Sequence, residues 1–157
     1  MNHLKAFEAH SDEYYREVSK EDYLDIRWYR DRRYRNRSER LDNREVAEIE
    51  SHCAKALSGR KLLVPIQVQT PQEMINPRTH DQEFLTPVRW SVLEHGKLKH
   101  YFMHISKCVD EDDEPWWAVH LFAGTPDGSR SGLVPVDPRF FICDGMWGLR
   151  RMIADQV

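Results

Sequence analysis

TPVRWSVLEHGKLKHYFMHISKC, from Thr86 to Cys108, decides between a sheet and a helical reading of this chain. Thr86, Val88, Trp90 and Val92 alternate with Pro87, Arg89 and Ser91, the period of two that sends successive side chains to opposite faces of a strand. Glu94-His95-Gly96-Lys97 reads as a tight turn, and Leu98 to Lys107 returns as the antiparallel partner. The competing reading takes His100, His104 and Cys108, spaced by four, as metal ligands on one helix face. Tyr101, Phe102 and Ile105 are strand formers, and strand positions four apart are separated by about 13 Å. One metal ion does not span that distance. The stretch reads as a hairpin, and no metal site and no cofactor is expected.

Downstream, Asp110 to Glu114 (DEDDE) reads as a turn, and Trp116 to Ala123 as an almost wholly apolar strand that belongs at the sheet centre with both faces covered. Thr125-Pro126-Asp127-Gly128 is a further turn. A short strand at Leu133–Val136 follows. Asp137-Pro138 then has the form of a helix start, and Met146, Leu149 and Ile153 mark a final amphipathic helix. Upstream, Val64, Ile66 and Val68 alternate with Gln67 and Gln69, with Pro65 pointing to an edge or a bulge. Thr70 to Gln82 reads as a polar loop.

The first 60 residues read as helical. Ser19 with Asp22, and Asp42 with Glu45, have the form of capping boxes. The first opens a helix running through Trp28 toward Arg37. The second opens a helix carrying Val46, Ile49, Cys53 and Leu57 on one face, stopped by Gly59. An earlier helix is expected around Leu4 to Val18. The expected fold class is therefore α+β: N-terminal helices, an antiparallel sheet of about four to five strands with helices on one face, and a C-terminal helix. The chain of 157 residues reads as a single domain, 1–157, with a charged helical segment 1–60, a sheet segment 61–136 and a C-terminal helical segment 137–157.

No apolar run approaches the roughly 20 residues of a membrane span, and the N-terminus lacks the form of a signal peptide. Cys53, Cys108 and Cys143 are odd in number and widely spaced, which argues against a disulfide framework and for a cytoplasmic protein. Glycine-rich phosphate loops and the serine-nucleophile elbow are absent. His104-Ile105-Ser106 has the H-x-S form that two-histidine phosphoesterases use in pairs, but Leu121-Phe122 follows His120 where a second hydroxyl is needed. Cys143, near a helix start, has a possible thiolate role; after Phe140-Phe141-Ile142 it reads better as a buried apolar residue.

The net charge of −3 conceals an asymmetry. Glu8 to Asp25 holds seven acids and two bases, whereas Arg27 to Arg40 holds seven bases and two acids. On a helix, Arg27, Arg30, Arg33, Arg37 and Arg40 share one face, with Tyr34 beside them. Three readings stay open: an internally paired, solvated helix; a protein interface built on arginine's planar fork; or a nucleic-acid surface. The acidic residues Asp110, Glu111, Asp112, Asp113 and Glu114 form a second candidate contact surface. They lack the ligand spacing of an EF-hand loop.

The expectation is a non-enzymatic interaction or regulatory protein that binds a macromolecular partner, a protein or nucleoprotein complex, and no membrane. A phage or mobile-element inhibitor of a nucleic-acid-processing or defence complex would fit. One alternative is a nucleic-acid-binding module using residues 27–40. Another is an enzyme whose site assembles from the strand histidines His100, His104 and His120.

Overall fold

The computed structural model describes residues 14–28, 37–77, 80–109, 112–126 and 133–157, without the side chains of residues 26–28, 125–126 and 133–134. Its centre is the hairpin of β5 (Gln82–Glu94) and β6 (Lys97–Val109). His95 and Gly96 join them with φ of 49° and 76°, the pair of left-handed residues that a two-residue turn matched to strand twist requires. The ladder runs from Glu94↔Lys97 to Thr86↔Ile105. Strand β7 (Pro115–Pro126) pairs with β6, and β8 (Leu133–Asp144) pairs with β7, all antiparallel.

Four shorter strands extend this framework. β1 (Tyr15–Val18) pairs with β8, β2 (Arg37–Glu39) with the end of β6, and β3 (Leu62–Val68) and β4 (Gln72–Ile75) with β5. The main order is β1-β8-β7-β6-β5-β3. Three helices complete the described residues: α1 (Lys20–Trp28), α2 (Asn43–Ala56) and α3 (Gly145–Gln156). The Asp42–Glu45 capping box forms in full, Asp42 Oδ1 accepting from the Glu45 N–H at 2.7 Å and Glu45 Oε1 from the Asp42 N–H at 3.0 Å. At α1 only the forward half is present, Ser19 Oγ accepting from the Asp22 N–H at 3.1 Å.

The expected fold class is corrected by this architecture. The protein is mostly sheet, with eight antiparallel strands, 54% strand and 27% helix among the described residues. Tyr15–Val18 and Arg37–Glu39, expected in helices, are strands, and Gln72–Ile75, expected in a loop, is another. The rest of the helix expected at Leu4 to Val18, up to residue 13, lies outside the described residues. Short strands of this kind are stabilised by ladders to distant segments, Tyr15 to Cys143 and Arg37 to Val109, so their local sequence carries little alternation. The helix start expected at Asp137-Pro138 is also absent. Asp137 takes a left-handed φ of 52° inside β8, and β8 continues past a register irregularity opposite Leu121 and Ala123 before the chain turns at Gly145.

Helices cover both faces of the sheet, not one. Trp117, Val119 and Leu121 of β7 share a core with Ile49, Cys53 and Leu57 of α2 side and Leu149, Met152 and Ile153 of α3. On the opposite face Trp116 and Ala118 pack with Tyr23 of α1, Cys108, Phe140 and Ile142. A central strand apolar on both faces leaves no solvent face, and burial on each side removes that surface from water at roughly 25 cal/mol per Å².

Candidate functional site

The two charged stretches read from the sequence touch, among the described residues, through one pair, Arg37 and Asp113. Arg37 lies on β2, where its Nε donates to Glu39 at 2.8 Å and its Nη2 to Asp113 at 2.6 Å. The bond to Asp113, then that to Glu39, raises its pKa. Arg40 pairs with Glu73, and its guanidinium stands 4.9 Å from the Phe84 ring centroid. Glu39 also approaches Lys107 Nζ at 3.7 Å, and Lys107 donates to Glu45 at 2.8 Å. The described arginines are thus held by carboxylates of this chain, on a strand edge and the loop after it. Arg37 and Asp113 are both largely exposed, and solvent screens such a pair, so it contributes little to stability. Arg27 lies in the last turn of α1 without a described side chain; Arg30, Arg33, Tyr34, Asp110 and Glu111 lie outside the described residues. Asp112 and Glu114 flank Asp113 and are exposed.

Of the three strand histidines, two converge. His104 and His120 face each other across β6 and β7, ring centroids 6.1 Å apart at 89°. His120 stacks on Phe140 at 4.5 Å and leans on Phe122 at 4.5 Å, and Tyr23 packs 4.9 Å from Phe140. His100 is separate, its Nδ1 2.7 Å from Ser91 Oγ. A three-histidine site is therefore not assembled. The described residues contain no group of three or more His, Cys, Asp or Glu side chains placed to hold a metal ion. Cys143 is a buried core residue, as its apolar neighbours imply; complete burial raises its pKa, and burial pushes the Cys53 thiol up to about 12.

The other face carries a surface that the sequence reading did not single out. Gly148 of α3 sits where an added Cβ would lie 2.2 Å from the Tyr14 carbonyl oxygen, and the Asp144 N–H donates to that same oxygen at 2.8 Å. Close approach brings Tyr14 edge-on to Trp147, centroids 6.0 Å apart at 86°. One turn along α3, the Arg150 guanidinium stands 5.2 Å from the Trp147 ring centroid. Trp147 is nevertheless 51% exposed and Tyr14 49%. Trp147 borders a cleft of about 550 Å³ between α2 and α3, with Glu48 and His52 on one wall, Met146 and Arg150 on the other. Trp117 also lines it; its Nε1 is buried and makes no hydrogen bond among the described residues. Burial, then the charge of Arg150, holds the His52 pKa below its ordinary 6.5. The available signal was positional: Trp147 falls off the Met146, Leu149 and Ile153 stripe, so a large aromatic occupies the side of α3 that solvent should take.

No protein-family model matches the chain, and no curated protein or solved structure matches it.

Proposed function

We propose that this chain is a non-enzymatic interaction protein that binds a protein partner through the Trp147, Arg150 and Tyr14 surface beside the α2/α3 cleft. The observation that carries the reading is a half-exposed tryptophan held in place from two sides. Tryptophan, tyrosine and arginine dominate interaction hot spots: the two aromatics bury large area while losing little side-chain freedom, and arginine adds a planar fork of donors. Arg150 makes no ion pair among the described residues, and Arg151 beside it is exposed. The matching partner therefore offers an apolar pocket for the indole with carboxylates at its rim.

Three buried cysteines, none of them in a disulfide, support a reducing, cytoplasmic setting for the encounter. No helix among the described residues is long and apolar enough to cross a membrane. The arginine run takes a lesser part in this reading, since Arg37 and Arg40 already hold carboxylates.

The test is affinity capture from a lysate of the encoding organism, comparing wild type with Trp147→Ala, Arg150→Glu and the acidic-turn reversal Glu111→Lys/Asp113→Lys, each checked for an unchanged melting temperature. The expected result is a defined protein retained by wild type and by the reversal, and lost from Trp147→Ala and Arg150→Glu. Its affinity falls about 30-fold or more on loss of the indole. Capture that survives both α3 substitutions sinks this surface. Salt-sensitive binding of labelled RNA or DNA, unchanged by Trp147→Ala, would establish the nucleic-acid reading in its place.

A further inference from the structure

We propose that the face opposite Trp147 holds a binding site for a small planar organic anion, an aromatic carboxylate in class, at the His104–His120 pair. A cavity of about 300 Å³ opens there between α1 and the sheet, at the lower end of the range for small-molecule sites. Its walls are mostly rings. His120 lies flat on Phe140, at 12° between planes, with His104 edge-on beside it and Tyr23 closing the α1 side. Leu24, Leu85 and two prolines, Pro135 and Pro138, complete an apolar lining. A flat ligand slides along such faces in offset or edge-on contact.

The sign of the ligand follows from the polar groups. Among the described residues, the nine that line the cavity include Lys20 and two imidazoles and no Asp or Glu. Lys20 forms no ion pair among the described residues, and the acids that follow it on α1, Glu21 and Asp22, are exposed and outside the lining. An ammonium at the mouth, with the His104 and His120 rings along the wall and no carboxylate among the described lining, suits a carboxylate carried by an aromatic ring. This site lies on the opposite face of β7 from Trp117, so it stands or fails apart from the partner surface.

The experiment is a titration of the full chain followed by histidine ring resonances, with benzoate, benzyl alcohol and inorganic phosphate as probes. Benzoate is expected to shift His104 and His120 saturably with a Kd of about 1 mM or tighter, while His100, held at Ser91, stays still. Benzyl alcohol, flat but neutral, and phosphate, anionic but not flat, should each bind at least about fivefold more weakly. Lys20→Glu, at an exposed position that leaves the fold intact, should weaken benzoate roughly fivefold. No shift at about twenty times that concentration overturns the site. Equal binding of benzyl alcohol, or an unchanged Kd in Lys20→Glu, overturns the charge recognition, and equal binding of phosphate overturns the planar recognition.

Discussion

At the residue scale, Gly148 and His52 show how single side chains set the Trp147 surface. Gly148 is required by space: any Cβ there meets the Tyr14 carbonyl, which is backbone and cannot swing aside. Gly148→Ala should cost about 2 kcal/mol by urea denaturation, the usual penalty for forced overpacking, and should shift the tryptophan fluorescence as Tyr14 is pushed away from Trp147. His52 faces Arg150 and Lys55, which disfavour its protonation, and Glu48, which favours it; burial outweighs each of these. Its folded pKa lies below 6.5, so the unfolded chain takes up the proton first. Stability from this group is whole above pH 6.5 and is lost as pH falls below it, levelling off beneath the folded pKa. Arg150→Gln should raise the His52 pKa in an NMR titration, and an unchanged value would break the link between cleft and histidine. Asp42 with Glu45 and His95 with Gly96 were legible in the sequence because their chemistry is local, within three residues. The exposure of Trp147 was not, because it depends on which face of α3 docks.

At the element scale, α2 is positioned by its cap and by one tertiary ion pair. Glu45 accepts from the Asp42 N–H and from Lys107 of β6, tying the helix start to the sheet. Asp42→Ala should destabilise by about 1 kcal/mol, measured as a shift in denaturation midpoint with an unchanged slope. A change in slope would show that the cap governs the compactness of the whole α2 region instead. The long strands β5 to β7 were readable because β5 alternates, β7 is a continuous apolar run, and turn residues bound them. β1, β2 and β4 were not readable, since three or four residues cannot express a period and their partners lie far along the chain. That difference turned the expected helical N-terminal segment into one that contributes two strands to the sheet.

At the scale of the whole molecule, β7 organises everything. It is apolar on both faces, so α2 and α3 bury one face and α1 the other. Each face then presents its own concave site. Cys53, Cys108 and Cys143 are buried in these cores, Cys53 and Cys143 in one and Cys108 in the other. All three thiols should resist a soluble disulfide reagent in the native protein and react in a single phase with global unfolding. Fast labelling of Cys108 alone would mean that the α1 face opens independently of the rest.

The sequence alone determined the central hairpin, its turn, the double-sided burial of β7 and the capped start of α2, because these rest on spacing and on interactions between near neighbours. Only the tertiary structure decided that Arg37 would meet Asp113, that His104 and His120 would converge while His100 stood apart, and that Trp147 would remain in solvent. Convergence is set by strand register, and exposure by which helix face is docked. Both depend on long-range packing that no single segment encodes.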